Sequence, residues 1–324
     1  MSTPDPQTPQ LDGTGQLRHL LRLEGLSREF ISRLLDRAES FQTPVGQPPA
    51  RDTALAGRTV ANLFFEPSTR TRASFELAAK RLSADVLNLD VNMSSRTKGE
   101  SLLDTIYTLQ AMQVDVFVVR DASAGIPDFI SGHVQPHVSV LNAGEAAVSH
   151  PTQGLLDLLT IRQHTGRLTD LTVTVIGDIA HSRVARSLAE GLRIMGDNHL
   201  RLVSPAGLMP DMQHYSGAEY TDDIDAAVSG ADVLMALRIQ RERIKEQSSL
   251  MTSLEYHEKY GLTEQRLRRA GPDAIVMHPG PMNRDVEIAG PVADGPQSVI
   301  TAQVHNGLAV RMAVLAAVTE SHPH

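Results

Sequence analysis

After Gly57 the chain alternates between two hydrophobic periods. Short runs rich in Val, Ile and Leu stand at 60–65, 114–119, 138–141, 171–176, 200–203, 233–236 and 274–277. Longer stretches with apolar residues at helical spacing separate them. This alternation predicts an α/β fold of mostly parallel sheets flanked by helices on both faces. Ahead of it, Leu20, Leu21, Leu23, Leu26, Phe30, Ile31, Leu34 and Leu35 recur at helical spacing from Leu17 onward, so helices are expected to open the fold. A final apolar stretch at 304–318 predicts a helix that packs back on the first part of the chain. Residues 1–16, with Pro4, Pro6 and Pro9, bury too little apolar surface to offset their ordering entropy and read as a flexible tail.

The chain has 324 residues, more than one hydrophobic core usually serves, which favours two domains. Polar residues with chemical potential fall at strand ends in two groups, one before and one after His150. The expected division is therefore a first domain at 17–149 joined by a C-terminal helix at 304–320, and a second at 150–303. With no Cys, disulfides, thiolate nucleophiles and Cys-ligated metals are excluded. The net charge of -8 argues against a general affinity for nucleic acid or an anionic membrane, so a site for anions must be locally basic. No stretch approaches the roughly 18 apolar residues of a spanning helix. The first sixteen residues carry no Lys or Arg and lack a signal-like apolar core, so the expected location is cytoplasmic.

The strongest local motif is Ser68-Thr69-Arg70-Thr71-Arg72, directly after a strand and before a helical run. Ser68 and Thr69 can cap that helix. Its free N–H groups and positive dipole end, with hydroxyls and two guanidinium groups, suit a phosphate. Arg120 closes the run at 114–119, where a rim salt bridge is an equally good reading. In His150-Pro151-Thr152-Gln153 an imidazole can donate to a carbonyl oxygen and a Gln amide can recognise an NH2 group. Gly177-Asp178-Ile179-Ala180-His181-Ser182-Arg183 lacks the spacing of a dinucleotide turn, but Arg183 opens the next helix and can reach a carboxylate. Arg238-Ile239-Gln240 pairs a cation with an amide, and His278-Pro279-Gly280-Pro281 is a stiff turn with backbone carbonyls available to a ligand amine. The polar loop Ser94-Ser95-Arg96-Thr97-Lys98-Gly99-Glu100 is basic at its tip. Carboxylate pairs, nucleophile–base pairs and Walker A loops are not evident, so the implied chemistry is transfer between two anionic ligands by positioning and oxyanion stabilisation.

The order of these motifs resembles the carbamoyltransferases, and within them the catalytic chain of the aspartate branch. The likeness runs from about Leu17 to Val318. It implies one domain for carbamoyl phosphate and one for L-aspartate, no cofactor and no metal. By the same resemblance, Ser68, Thr69, Arg70 and Thr71 bind phosphate, and Arg120 holds phosphate and carbonyl oxygens. His150 polarises the carbonyl and Gln153 meets the carbamoyl nitrogen. Arg183, Arg238 and Gln240 bind the aspartate carboxylates, and the backbone of Pro279 and Gly280 faces the amine side. Ser94 and Lys98 complete a neighbouring subunit's site, which implies a homotrimer with shared sites. A zinc-binding regulatory chain or a dihydroorotase-like partner would be a separate polypeptide. This chain has Gly280 where many relatives carry a leucine. The ornithine branch shares the phosphate half but uses a Cys in the turn matching 278–281. Enzymes acting on acylated ornithines, and a catalytically silent subunit, are the further alternatives.

Overall fold

The apolar runs form strands of two separate all-parallel sheets. The computed structural model describes residues 10–49, 51–89, 101–239 and 251–321. Ser94, Lys98 and Gln240 lie outside the described residues. The chain divides into two compact units, 1–155 with 306–324, and 156–305.

In the first unit the strands are β1 (Thr59–Phe64), β2 (Asp85–Leu89), β3 (Val116–Asp121) and β4 (Ser139–Glu145), in the order β2-β1-β3-β4. Its helices are α1 (Arg28–Ser40), α2 (Thr69–Arg81), α3 (Leu102–Ala111) and α4 (Ile126–Ser131), followed by the start of α5 (Pro151–Thr165). One sheet face presents Ala61, Leu63, Phe117, Val119 and Val140 to Ile106 and Leu109 of α3 and Ile130 of α4. That is the period of two expected of strands. α2 packs on β1 and β2. The capping box of Ser101 and Asp104 starts α3, satisfying N–H groups that would otherwise lack partners.

The second unit contains β5 (Thr172–Ile176), β6 (His199–Val203), β7 (Glu219–Thr221), β8 (Val233–Ala236) and β9 (Ile275–Met277), in the order β7-β6-β5-β8-β9. Among its helices are α6 (Arg183–Met195), α7 (Ile224–Ala227), α8 (Ser253–Tyr260), α9 (Glu264–Leu267) and α10 (Gly290–Ala293). Its core joins Ile176, Val203, Leu234, Ala236 and Val276 to Tyr256, Tyr260 and Ile288. The last helix, α11 (Ile300–Glu320), returns to the first unit. There Arg311 lies over the Phe75 ring of α2 at 5.1 Å, Glu320 pairs with Arg37 of α1 at 2.6 Å, and the Ser139 hydroxyl donates to the Val318 carbonyl at 3.3 Å.

Two expectations change. The helical spacing read from Leu17 does not produce a helix until Arg28, where Ser27 accepts the Phe30 N–H as N-cap. Before it, Leu20, Leu21 and Leu23 are fully buried on a non-helical segment that runs along β4, with Leu20 N–H donating to Val140 and Asn142 N–H to Leu20. Burial against a sheet edge selects the same leucines that a helix would. The tail reading meets packed structure from Gln10, whose buried amide accepts from Leu21 and Arg22 N–H and donates to the Glu24 carbonyl. Residues 1–9 lie outside the described residues.

Candidate active site

Each sheet order contains one point where successive connections leave in opposite directions. In the first unit it lies between β1 and β3, and in the second between β5 and β8. Ligands of open α/β sheets bind outside the carboxyl ends of the strands at such points. The chemistry-bearing motifs stand at both.

In the first unit β1 ends at Phe64, opposite Arg120 of β3, and the Phe65 N–H donates to the Arg120 carbonyl at 2.9 Å. The turn then delivers Ser68 at the N-cap of α2, with Thr69, Arg70 and Thr71 in its first turn. Ser68 occupies the expected cap position in extended conformation, but its side chain makes no cap hydrogen bond, and no acidic residue stands in the first turn. Among the described residues, neither the cap side chain nor a first-turn carboxylate neutralises the helix end, which suits it to an external anion. Thr71 is buried.

Arg120 sits where the ladder between β3 and β4 shifts register, between Val119 and Asp121. Irregularities of this kind re-aim side chains. Its guanidinium donates to the Ala143 carbonyl of β4 at 3.3 Å and lies 3.3 Å from the Glu66 carboxylate. Arg120 thus stands at the carboxyl end of the sheet and in an ion pair. The strand runs one residue beyond it, to Asp121.

β4 leads into a tight return in which Glu145 N–H donates to Ser149 at 3.0 Å, placing His150 before α5. The His150 carbonyl accepts from Gln153 and Gly154 N–H at 2.9 and 3.1 Å, and Pro151 occupies the first helical position, where a missing N–H costs nothing. His150 and Gln153 are buried polar residues. Beneath the return, the Glu145 carboxylate accepts from Gly125 N–H and the Asn142 amide at 2.8 and 3.0 Å. Burial pushes this carboxyl above the ordinary carboxylate range, against the pull of the Gly125 N–H. The first sheet thus gathers Ser68, Thr69, Arg70, Thr71, Arg120, His150 and Gln153 at its carboxyl edge.

In the second unit β5 ends at Ile176 beside Ala236 of β8. Gly177 follows at φ +135°, and a Cβ there would stand 2.9 Å from both the Cβ and the carbonyl oxygen of Leu237. Glycine permits that close crossing. Leu237 N–H donates to Ile176 at 2.8 Å, so Arg238 emerges beside the turn that carries Arg183. Arg183 opens α6 behind Ser182, whose hydroxyl accepts the Ala185 N–H at 3.1 Å.

The turn after β9 is braced through His278 by Gln303, Asp157 and Glu287, none of which the sequence reading singled out. His278 N–H donates to Gln303 Oε1 at 2.8 Å, and Gln303 Nε2 donates to Asp157 at 2.9 Å. The Gly280 N–H donates to His278 Nδ1 at 2.8 Å, which leaves Nε2 as the ring donor, 3.2 Å from Glu287 Oε1. His278, Glu287, Gln303 and Asp157 are all buried. Gly280, at φ +65°, uses the left-handed region that a leucine would occupy only under strain. Pro279 and Gly280 are thus fixed from below. Glu66, Asp157, Glu287 and Gln303 lay outside the sequence-derived set because their partners are distant in sequence or their motif carried no chemical cue. Among the described residues no group of three or more His, Asp or Glu could hold a metal ion, and no helix is long and apolar enough to cross a membrane.

Two family models match in tandem. Residues 18–163 match the carbamoyl-P binding domain, and residues 169–318 the Asp/Orn binding domain, of aspartate/ornithine carbamoyltransferase. Among solved structures, aspartate transcarbamoylase from Trypanosoma cruzi in complex with N-(phosphonacetyl)-L-aspartic acid is 30% identical, with 95% of this chain and 98% of that chain covered and a TM-score of 0.85. The same protein in complex with carbamoyl phosphate is 32% identical over 93% of this chain and 95% of that one, with a TM-score of 0.84. Ornithine carbamoyltransferase from Thermus thermophilus is 27% identical, covering 93% and 99%, with a TM-score of 0.81. Both halves matched in order, and this likeness over almost the whole length, carry one conclusion: the chain belongs to the aspartate/ornithine carbamoyltransferase family and is a carbamoyl-transferring enzyme.

Proposed function

We propose that the chain is an aspartate carbamoyltransferase, making N-carbamoyl-L-aspartate and phosphate from carbamoyl phosphate and L-aspartate, the committed step of pyrimidine biosynthesis in the cytoplasm. The observation that carries the choice within the family is the pair of arginines, Arg183 and Arg238, at the ends of the adjacent strands β5 and β8. Two fixed cations suit a dicarboxylate and oppose the extra cation of ornithine. The turn at 278–281 holds no Cys, unlike that of the ornithine branch.

In this reading the first unit binds carbamoyl phosphate. Ser68, Thr69, Arg70 and the α2 N-terminus hold the phosphate, Arg120 bridges phosphate and carbonyl oxygens, His150 and Thr71 donate to the carbonyl oxygen, and Gln153 orients the NH2 group. The aspartate nitrogen lone pair attacks the carbamoyl carbon. The carbon–oxygen bond to phosphate then breaks, and phosphate leaves with that electron pair. One amine proton goes to a phosphate oxygen. Donors fixed before the reaction stabilise the developing oxyanion without reorganising, and a single such donor is worth roughly 10²–10³ in rate. Arg183, Arg238 and Gln240 bind the aspartate carboxylates, and the carbonyls of Pro279 and Gly280 accept from the amine side.

Ser94 and Lys98, in this proposal, act in a neighbouring subunit's site, which makes the enzyme a homotrimer. Mixing Lys98→Ala with His150→Ala subunits then regenerates some intact sites; no recovery in verified mixed trimers refutes sharing. The activity itself is tested by phosphate release from carbamoyl phosphate with L-aspartate and, separately, with L-ornithine. Release with aspartate alone supports the assignment, release with ornithine moves the chain to the other branch, and release with neither points to a silent subunit.

A further inference from the structure

The segment between β5 and Arg183 holds a pair that the mechanism above leaves unused. Asp178, directly after Gly177, is 3% exposed, and its Oδ1 accepts both the backbone N–H of His181 at 3.3 Å and the ring Nδ1 at 2.8 Å. Asp178 can only accept, so Nδ1 carries the hydrogen and Nε2 is the outward nitrogen. Two donors from one residue on one oxygen fix the ring's orientation as well as its tautomer. The imidazole is 38% exposed while the carboxylate that holds it is at 3%. A buried carboxylate is costly unless compensated, and a neutral Asn or Ser would close the same turn without that cost. Here the buried charge holds a solvent-facing ring in one pose, beside the switch point of the sheet and two residues ahead of Arg183.

We propose that His181 is a third recognition residue for the second substrate, with Asp178 as its positioning residue. With its ring protonated, Nε2–H donates to a carboxylate of the bound dicarboxylate, adding to Arg183 and Arg238. The inference rests on the reading that the second unit binds aspartate and extends it to a named side chain.

The test is steady-state kinetics on the full-length enzyme with both substrates varied, for wild type, His181→Ala, His181→Gln, Asp178→Asn and the Asp178→Asn/His181→Ala double variant, each with its melting temperature. The expected result is a KM for L-aspartate raised about tenfold or more in His181→Ala, the scale of losing one hydrogen bond to a charged group. The KM for carbamoyl phosphate stays within about twofold, and His181→Gln, which keeps a donor, recovers part of the loss. Asn at 178 still accepts both hydrogen bonds but lacks the charge, so Asp178→Asn gives a smaller rise. The double variant is no worse than His181→Ala, because the charge then has nothing to support. A KM for aspartate unchanged in both single variants at His181 overturns the inference and leaves the aspartate assignment standing. So does an equal rise in both KM values, or a double variant whose losses simply add. Absence of aspartate turnover in the wild type overturns the assignment and the inference with it.

Discussion

Substituting Gly177 by alanine probes the switch point of the second unit with the smallest side chain available. The added methyl carbon would lie 2.9 Å from the Leu237 Cβ and 2.9 Å from the Leu237 carbonyl oxygen, contacts that cannot persist, and one of the two is backbone. Overpacking of this kind costs roughly 1–3 kcal/mol. The backbone at φ +135° adds a penalty for any L side chain, of order 1–3 kcal/mol. Together they give about 2–6 kcal/mol. For a unit the size of 156–305, about 2–4 °C per kcal/mol converts this to a melting point lower by roughly 10 °C. Relief comes only if Leu237 moves, and Leu237 precedes Arg238 while donating its N–H to Ile176. The displaced arginine raises the KM for aspartate, whereas carbamoyl phosphate binding, placed in the first unit, stays as it was. Scanning calorimetry and two-substrate kinetics on the purified variant measure both effects. An alanine variant with the wild-type melting point and aspartate KM refutes the claim that the close crossing sets Arg238.

Arg120→Ala lowers kcat by about 10²–10³-fold, the scale of one fixed oxyanion donor, with an unchanged far-UV circular dichroism spectrum; a variant within a few-fold of wild type would show the Glu66 pair to be its whole role. His278→Ala leaves the Gly280 N–H and the Glu287 carboxylate without their ring partner, at about 2–4 kcal/mol, and denaturant unfolding without that loss contradicts the bracing network. Tyr256→Phe removes a buried hydroxyl for which the described residues offer no hydrogen-bond partner, and it stabilises the second unit by about 1 kcal/mol; a destabilised variant shows that the hydroxyl has a partner. Burial also pushes the Tyr256 phenol upward, so the unfolded chain releases its proton first, near pH 10, and stability falls as pH rises above that point. Melting curves between pH 9 and about pH 11 then slope less steeply for Tyr256→Phe than for wild type.

The strands legible from sequence are those covered on both sides. β4 is an edge strand, yet Leu20 pairs along it, and β9 is likewise covered by the Val276 bonds to Gln297 and Val299. Their apolar runs reflect that cover. β2 and β7, edges that no other described strand pairs, carry Asp85 and Asn88 or Glu219 and Thr221 at exposed or half-buried positions, and the mixed pattern hid them. The leucines at 20–23 misled because burial on an extended segment and burial on a helix draw on the same residues. At the site, the motifs at strand ends were readable because each combines turn chemistry with side chains that bind anions. The bracing residues were not. Gln303 reaches Asp157 across 146 positions, and Glu66 meets Arg120 only because β1 and β3 are neighbours, so neither pairing leaves a local trace. Asp178 and His181 stood inside a sequence motif, but their bond depends on the turn, which only the folded chain defines.

The central claim is that this carbamoyltransferase takes a dicarboxylate amine. The most direct measurement supplies the enzyme with carbonyl-13C carbamoyl phosphate and equal concentrations of L-aspartate and L-ornithine in one sample, and identifies the labelled product by carbon NMR. The account predicts label in N-carbamoyl-L-aspartate with none in citrulline. Label in citrulline would contradict the assignment of Arg183 and Arg238 to substrate carboxylates.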